Sequence, residues 1–298
     1  MELRQLHKDE NDIIIGFAES RIGGRTENQD SYGAMQTGRG FLVTVCDGMG
    51  GGPGGKTASS IAVTEIMSGI NEGADDETVA NVIIKAVRRA NMAVIEAGND
   101  NPDLKGMGST ATVLLISAVS AYVAHVGDSR IYQFRGKKKV FRTNDHSMVF
   151  DLVKQKVITE EQARLSAQSN VITRALGMRA DIEVEVHELS YKKGDRFLLC
   201  SDGIHGSMSE HDFIKMVTRS GITLGAITDD ISTFVDNLGR SNGGGHDNLT
   251  IAIVETKMNS KLKEKMSGKT KMFLMALAII FIACVILYIL QITKHIII

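Results

Sequence analysis

The chain has 298 residues, of which 43% are hydrophobic, and its 34 Lys and Arg residues nearly balance 35 Asp and Glu residues. This composition allows a substantial core, and the balanced charge provides no basic surface of the kind that nucleic-acid binding needs. Cys46, Cys200 and Cys284 lie far apart without C-x-x-C spacing, which argues against a disulfide framework or zinc site and favours a reducing compartment.

Apolar and β-branched runs bounded by Gly, Asp, Asn or Ser predict strands throughout residues 13–256. The predicted strands are "IIIGFAES" (13–20), "FLVTVCD" (41–47), "TATVLLIS" (110–117), "AYVAHVGD" (121–128), "IEVEVHEL" (182–189), "RFLLCSD" (196–202) and "LTIAIVET" (249–256). Apolar residues spaced three or four apart predict helices at 56–70, 77–98, 212–220 and 228–238. Because strands and helices do not alternate regularly, this order favours antiparallel sheets flanked by helix pairs over a parallel sheet.

The two ends of the chain differ in character. Residues 1–12 carry charges throughout and contain no apolar stretch of signal-peptide length, so we expect a short N-terminal extension and no export. Residues 272–290, "MFLMALAIIFIACVILYIL", contain no charge, and a helix of this length spans roughly 28 Å, close to the thickness of a bilayer core. We therefore expect a single transmembrane helix there.

Lysines flank this apolar segment unequally. Six precede it, at positions 257, 261, 263, 265, 269 and 271, whereas Lys294 alone follows it. The positive-inside rule then places the catalytic part of the chain in the cytoplasm, with a single membrane pass near the C-terminus. The predicted organisation is an extension (1–12), one domain (13–256), a basic juxtamembrane linker (257–271), the membrane helix (272–290) and a short tail (291–298).

The stretch "VCDGMGGGPGGKTASS" (45–60) has two interpretations. From Gly50 it matches the phosphate-loop pattern G-x-x-x-x-G-K-[ST], with Lys56 and Thr57 in the functional places, which indicates a nucleotide hydrolase. From Asp47 it is a carboxylate at the end of an apolar run, followed by glycines that expose the backbone to a hard metal ion.

Aspartates stand beside the ends of several predicted strands. Asp47, Asp128 and Asp202 end strands within Asp-Gly or Gly-Asp pairs, and Asp247 precedes the last strand. Carboxylates gathered at one end of a sheet repel each other unless cations bind between them. Oxygen ligands without His or Cys favour Mg²⁺ or Mn²⁺.

The order of short motifs resembles that of the metal-dependent PPM protein phosphatases, the bacterial branch of protein phosphatase 2C. The motifs are "RTENQD" (25–30), "VCDGMGG" (45–51), "MGSTATVLL" (107–115), "VGDSRIY" (126–132), "TNDHS" (143–147), "LLCSDGI" (198–204) and "HDNLTIAIV" (246–254). The resemblance implies an α+β fold, a four-layer α-β-β-α sandwich of two antiparallel sheets flanked by helix pairs, with two Mn²⁺ or Mg²⁺ ions between the sheets.

The resemblance also implies a role for individual residues. Asp47 is similar to the carboxylate that bridges both ions, the carbonyl of Gly48 to a ligand of one ion, and Asp202 and Asp247 to the remaining direct ligands. Asp30 stands where the family holds a metal-bound water or contacts the second ion. Asp128 matches the position that binds a third, weaker ion with Asp202. Arg25 matches the arginine that grips the substrate phosphate, a role that suits a planar guanidinium.

By this resemblance the chain hydrolyses phosphoserine and phosphothreonine on proteins by attack of a metal-bridging hydroxide and opposes a Ser/Thr kinase.

The chain departs from many eukaryotic members at Met49, where those members carry a histidine thought to protonate the leaving group. His146, His205 and His246 are expected to orient loops, and residues 145–179 correspond to the variable flap beside the active site. A cysteine mechanism is excluded, because the residues six positions after the cysteines are Gly52, Gly206 and Leu290 rather than Arg.

Two other functions remain as alternatives. A non-catalytic relative would bind phosphoproteins as a scaffold, but it should have lost metal carboxylates, and Asp47, Asp202 and Asp247 are all present. A nucleotide hydrolase would depend on Lys56, but it leaves Arg25 and the remaining aspartates unexplained. We therefore treat the phosphate-loop match as accidental.

Overall fold

Within residues 4–50 and 54–262, which the computed structural model describes, the chain folds into two sheets and their covering helices. The strands are β1 (Arg4–Glu10), β2 (Ile14–Arg21), β3 (Asp30–Thr37), β4 (Gly40–Met49), β5 (Gly108–Ser109), β6 (Ala111–Ile116), β7 (Ala121–Val126), β8 (Arg130–Arg135), β9 (Lys138–Arg142), β10 (Glu185–Leu189), β11 (Arg196–Cys200) and β12 (Leu249–Thr256). The helices are α1 (Gly54–Asn71), α2 (Val79–Asp100), α3 (Met148–Lys154), α4 (Glu160–Arg164), α5 (Asp202–His205), α6 (Glu210–Val217) and α7 (Leu224–Ser241), with a 3₁₀ turn at Pro102–Leu104.

Both sheets are antiparallel and lie face to face. The first sheet has the strand order β1-β2-β12-β11-β8-β9, and the second has the order β10-β7-β6-β4-β3, with β5 paired to β4. Helices α1 and α2 pack on the second sheet, and α6 and α7 pack on the first. The predicted four-layer α-β-β-α sandwich is confirmed.

The central strands are buried on both faces, as β6 illustrates. Leu114 and Ile116 pack between the sheets, whereas Val113 and Leu115 pack under α1 and α2. A strand alternates its side chains between two faces, so a strand enclosed on both sides needs an unbroken apolar run. This enclosure explains why the run "TATVLLIS" was a reliable strand signal.

Strands that were not predicted are mainly at sheet edges. β1 and β9 are the edges of the first sheet, and β3 is an edge of the second. Edge strands carry polar and charged residues because their unpaired edge faces solvent. Their sequences therefore lack a strong apolar signal. Residues 4–10, predicted as an extension in front of the domain, thus form β1, which pairs with β2 from Arg4↔Arg21 to Glu10↔Ile15.

The chain stays attached to the domain beyond β12. Lys257 N–H donates to Ile13 O at 2.7 Å, Ser260 N–H donates to Tyr191 O at 2.9 Å, and Leu262 N–H donates to Val119 O at 2.8 Å. The first residues of the predicted linker 257–271 therefore belong to the folded domain.

The predicted membrane helix at 272–290 lies outside the described residues. Of the residues that are described, none forms a helix that is both long and apolar enough to cross a bilayer.

The sandwich has two distinct ends. At one end β4 and β11 finish while β3 and β12 begin, so that Asp30 faces Asp47 across the β3–β4 pair. The opposite end carries the turn between β3 and β4, where Thr37 pairs with Gly40, and the β6–β7 turn. The eight residues of β12 separate these ends by about 26 Å. The fold thereby collects at one end of the sandwich the aspartates that lie at or next to the ends of these strands.

Candidate metal centre

Asp47 is the best anchored of the candidate ligands. Its backbone N–H donates to Thr110 Oγ1 at 2.8 Å, and its carbonyl accepts from Thr110 N–H at 2.8 Å. The Thr110 hydroxyl also contacts Ser129 Oγ at 2.8 Å. Thr110 thus ties the end of β4 to the Gly127–Asp128–Ser129 loop and holds two of the predicted acidic positions in a fixed relation.

The other acids are placed by tight turns. Gly127 has φ of +104°, a conformation that favours glycine, and directs the chain into Asp128. Gly203, next to Asp202, packs against the backbone at the start of β12, where an added Cβ would lie 2.1 Å from Asn248 O. The Asp-Gly and Gly-Asp pairs that marked the site in the sequence are therefore steric requirements of close backbone packing.

One cavity of about 500 Å³ collects most of the predicted site. The predicted residues that line it are Arg25, Asp47, Gly48, Asp128, Asp202 and Asp247. Asp30 lies behind this cavity, only 2% exposed, where its Oδ2 accepts a hydrogen bond from Ser201 Oγ at 2.7 Å. The structure therefore brings all the predicted residues to one end of the sandwich.

The arrangement fits small divalent cations. The donors are carboxylates, which Mg²⁺ and Mn²⁺ prefer. Asp30 Oδ1 and Asp202 Oδ1 are buried and have no hydrogen-bond partner among the described residues. Because a buried, unpartnered carboxylate oxygen is costly, such atoms indicate a missing cationic partner.

The carboxyl pKa values also show that these side chains are costly to ionise together. Burial, followed by the nearby Asp30 and Asp202 charges, holds the pKa of Asp47 well above its usual range. Burial raises the pKa of Asp30 to about 7, and burial together with the Asp247 charge raises that of Asp202 to about 6. The pKa of Asp128 is also raised, by burial and then by Asp202. Without cations these groups retain protons at pH values where an exposed aspartate is ionised.

Arg25 supplies a positive charge to the cavity. Its Nη2 donates to Asp247 Oδ2 at 2.9 Å, while half of its side chain, 51%, remains exposed. An exposed ion pair of this kind is weak, so the guanidinium can exchange partners at little cost.

Asn248, which motif reasoning did not single out, organises the loop that carries Arg25. Its Oδ1 accepts from Gln29 N–H at 2.8 Å, and its Nδ2 donates to Ile22 O at 2.7 Å and to Glu27 O at 2.9 Å. The residue is 4% exposed. Its sequence signal is its place in the motif "HDNLTIAIV", directly after Asp247 and before the apolar strand β12.

A second polar cluster lies beside the centre. Among the described residues, His125, His146 and Glu185 are the group whose three possible metal-ligand atoms all lie within 4.8 Å of one another. However, His146 Nδ1 accepts from Gly127 N–H at 3.1 Å, so the ring proton lies on Nε2, which faces Glu185 Oε1 at 3.2 Å. The two imidazoles are stacked, with centroids 4.5 Å apart, and His125 Nε2 faces Asn144 O at 2.8 Å, so both rings are already engaged with the protein.

His146 therefore acts as a support for the loop that carries Asp128. Its backbone N–H also donates to Gly127 O at 3.0 Å, and its carbonyl accepts from Thr173 N–H at 2.8 Å. His205 similarly contacts Asp128 O through Nε2 at 3.0 Å, and His246 contacts Asp236 Oδ1 at 2.8 Å. These contacts agree with the expectation that the three histidines orient loops.

The phosphate-loop interpretation does not fit the structure. Lys56 Nζ donates to Asp30 O at 2.8 Å and to Ser31 Oγ at 3.0 Å, so its ammonium is engaged with the protein. The strand before it, β4, lies in an antiparallel sheet rather than the parallel sheet of a nucleotide hydrolase.

The described cysteines are unsuited to nucleophilic catalysis. Cys46 and Cys200 are both fully buried. Burial raises the pKa of the Cys46 thiol to about 12 and raises that of Cys200 as well. Neither thiol forms the reactive thiolate at neutral pH.

Comparisons with known proteins agree with this geometry. The family model for protein phosphatase 2C matches residues 19–227. A protein phosphatase, PhpP, of Streptococcus pneumoniae is 34% identical over 77% of this chain and 92% of its own length. A serine/threonine phosphatase, stp, of Listeria monocytogenes is 29% identical over 80% of this chain and 90% of its own length.

Solved structures give the same result. The Mycobacterium tuberculosis serine/threonine phosphatase PstP/Ppp superimposes with a TM-score of 0.69 at 29% identity, covering 82% of this chain and 98% of that one. A second structure of the PstP catalytic domain, described as a complex with two manganese ions, has a TM-score of 0.66 over the same shares of the two chains, again at 29% identity.

The chain belongs to the protein phosphatase 2C family. The predicted enzyme class, a metal-dependent protein phosphatase, is confirmed by this membership and by the identity to named serine/threonine phosphatases.

The raised carboxyl pKa values predict how pH affects stability. Because Asp30 and Asp202 bind protons more tightly when folded than when unfolded, the metal-free protein should lose stability as pH rises from about 4 to about 7. Divalent ions that replace these protons should stabilise most at the upper end of this range. We expect Mn²⁺ to raise the melting temperature over that in EDTA by roughly 3 °C or more at about pH 7.5, and by much less at about pH 5.

Thermal unfolding followed by circular dichroism measures this difference. A buffer without divalent ions, brought to the same ionic strength with K⁺, serves as the control for a general salt effect. An equal Mn²⁺ effect at both pH values would show that these carboxyls do not bind the ion.

Proposed function

We propose that this chain hydrolyses phosphoserine and phosphothreonine on proteins with two Mn²⁺ or Mg²⁺ ions. The observation that carries the proposal is the single cavity lined by Arg25 and by the carboxylates of Asp47, Asp128, Asp202 and Asp247. A cavity of this kind combines cation ligands with a cationic group suited to phosphate.

The ligand roles in this proposal are those that the family resemblance implies. Asp47, the carbonyl of Gly48, Asp202 and Asp247 would hold the two ions, while Asp128 with Asp202 would hold a third, weaker one. Asp30 lies buried behind Asp47 and is fixed by Ser201 through Oδ2, and its unpartnered Oδ1 would hold the second ion or a metal-bound water. When bound, the ions supply a water that deprotonates near neutral pH and neutralise charge on the phosphate.

Arg25 is the residue that binds the substrate phosphate. In the absence of other cations it pairs with Asp247, and ions held by that carboxylate would release the guanidinium. A planar guanidinium can then form two parallel hydrogen bonds to phosphate oxygens and orient the ester for in-line attack.

The leaving alkoxide needs a proton from a source other than a histidine next to Gly48. Met49 stands there and carries no proton to give. His205 lies nearby, but burial and the Arg130 charge lower its pKa to about 3, so it is neutral at pH 7. Water in the open cavity is therefore the proton source in this proposal.

The phosphorylated protein would enter beside the flap, residues 145–179. A second cavity of about 600 Å³ shares Arg25, Asp128, Asp202 and Asp247 with the first and extends under the flap to Phe150. Hydrophobic side chains are exposed on the flap, among them Val157 at 64%, Leu165 at 68% and Met178 at 52%. Such a surface would recognise residues that flank the phosphorylated site.

The proposal also includes a membrane tether and a kinase partner. The uncharged segment 272–290 and the lysines before it support a single pass with the catalytic domain in the cytoplasm. The substrates would be proteins phosphorylated by a Ser/Thr kinase whose action this enzyme reverses. The scaffold alternative loses support because every metal carboxylate of the motif set is retained.

Asp47→Asn and Lys56→Ala separate the phosphatase from a nucleotide hydrolase. With Mn²⁺ and a phosphothreonine peptide, D47N should lose more than about 1,000-fold in kcat, because a carboxylate that would hold the ions is gone. K56A should keep activity within about tenfold, since its amine only bonds Asp30 O and Ser31 Oγ. Phosphate release is the measurement. Full activity in D47N, or hydrolysis of ATP that depends on Lys56, would refute the proposal.

Arg25→Ala tests phosphate binding separately from metal binding. Loss of a charge-assisted bidentate contact should lower kcat/KM by about 10- to 100-fold and act mainly through KM. Mn²⁺ affinity, measured by calorimetry, should change little, and Arg25→Lys should recover only part of the loss. If R25A instead abolishes Mn²⁺ binding, Arg25 has a structural role.

Flotation on lipid vesicles tests the tether. The full chain, added with detergent that is then removed, should float with neutral phosphatidylcholine vesicles and resist extraction at high salt, whereas a chain ending at Leu262 should stay behind. Both should hydrolyse the soluble phosphopeptide equally. A full chain that remains soluble without lipid would overturn the tether and leave the phosphatase assignment intact.

A further inference from the structure

The end of the sandwich opposite the metal centre carries an unusual concentration of lysines. This end, here called the exit face, consists of the β6–β7 turn Ser117–Ser120, the loop Tyr191–Asp195, the β8–β9 turn Gly136–Lys137 with Lys138, and the segment Lys257–Leu262. The lysines on it are Lys137, Lys138, Lys192, Lys193, Lys257 and Lys261.

Strand pairing places these segments together. β8 pairs with β11, so the β8–β9 turn lies beside the loop that precedes β11. Lys193 N–H donates to Asn259 Oδ1 at 2.9 Å, and Lys261 N–H donates to Ala118 O at 3.1 Å. The two turns and the last described segment therefore form one surface.

Most of the lysines on this face are not neutralised. Lys137, Lys138, Lys193 and Lys261 are exposed and form no ion pair within residues 4–50 and 54–262. The acids on or near this face include Asp195, which pairs with Arg135, Glu10, which pairs with Lys257, Glu188, which accepts from Ser120 and Tyr122, and the exposed Asp12. Val119, 51% exposed, adds an apolar side chain at the centre.

The chain leaves the domain at this face. Leu262 is the last residue of the compact unit, and nine residues, 263–271, separate it from the apolar segment at 272–290. Even fully extended, nine residues reach only about 32 Å. The exit point is therefore held near the membrane that we have proposed to contain residues 272–290.

The charge distribution selects between the two ends. The metal end carries the carboxylates of Asp30, Asp47, Asp128, Asp202 and Asp247, whereas the exit face carries lysines. An anionic surface attracts the unneutralised lysines of the exit face, and each lysine near such a surface contributes about a fivefold change in affinity, whereas the metal end, whose carboxylates are neutralised by cations or protons, offers no matching attraction.

We propose that the exit face docks on anionic lipid headgroups of the bilayer and holds the metal centre about 26 Å further from the membrane, facing away from it. This orientation rests on the proposed tether. In this orientation the metal centre reaches phosphorylated sites on cytoplasmic proteins, or on domains that extend well beyond the bilayer. It does not reach sites directly at the membrane surface.

The absence of tryptophan from the chain allows a direct test. Val119→Trp places a single fluorescence donor on the exit face. Met178→Trp places a single fluorescence donor at the metal end, where the neighbouring Leu176 is hydrogen-bonded to Ser109. The full chain is reconstituted in vesicles that contain a dansyl-labelled lipid, made of phosphatidylcholine alone or with about 30% phosphatidylserine. Energy transfer from tryptophan to dansyl is measured.

With phosphatidylserine, transfer from V119W should exceed transfer from M178W by about threefold or more, and it should fall in phosphatidylcholine alone. Adding Lys193→Glu and Lys261→Glu to V119W should lower transfer to the phosphatidylcholine level. The matched control, Lys105→Glu with Lys156→Glu, reverses two exposed lysines elsewhere and should leave transfer unchanged. Equal transfer from both positions, or no effect of phosphatidylserine or of the exit-face lysines, would overturn the proposal.

Flotation distinguishes this failure from failure of the tether. A chain that floats with neutral vesicles but shows no preferred transfer keeps the tether and refutes the docked orientation. A chain that does not float with neutral vesicles refutes the tether. In that case, the docking proposal is still supported if the chain binds phosphatidylserine vesicles and K193E/K261E abolishes that binding. It is refuted if the chain does not bind these vesicles.

Discussion

The repulsion between buried carboxylates at one end of the sandwich is the constraint on which the rest of the molecule depends. Asp30, Asp47, Asp128, Asp202 and Asp247 come from separate strands and loops, and the fold buries most of them while Asp247 stays partly exposed. The pKa values of Asp30, Asp47, Asp128 and Asp202 rise because burial and mutual charge both oppose ionisation. Such a cluster persists only if cations or protons neutralise it, so the same feature that weakens the metal-free protein creates strong ligands for divalent ions.

The surrounding polar residues keep this cluster in place. Thr110 fixes Asp47, Ser201 fixes Asp30, and Asn248 fixes the loop that carries Arg25. His146 clamps the backbone of Gly127 from the base of the flap. Because the flap and the Asp128 loop share this contact, a substrate that moves the flap would also act on the Asp128 position. Polar support of this kind is expected where ligands must hold their geometry against repulsion.

The sequence was informative where a local pattern carries the physical requirement. The enclosed strands β4, β6, β7, β11 and β12 needed continuous apolar runs, and the Asp-Gly pairs at 47 and 202 needed glycine for close packing, so both were visible before the structure. The edge strands β1, β3 and β9 lack that signal because one edge of each strand faces solvent instead of another strand. The contacts of Asn248 and of the His125–His146–Glu185 cluster were missed because the partners are distant in sequence: Asn248 bonds Gln29, 219 positions away. Contacts of that range depend on topology, which motif spacing does not encode.

The account depends most directly on the number of ions that the carboxylates hold. Titration of the metal-free protein with Mn²⁺ at about pH 7.5, by calorimetry or by the electron paramagnetic resonance signal of free Mn²⁺, counts them. Two tightly bound ions per chain, reduced to one or none by Asp47→Asn and left at two by Lys56→Ala, is the predicted result. A wild-type chain that binds no Mn²⁺, or binds it equally well without the Asp47 carboxylate, would contradict the central claim.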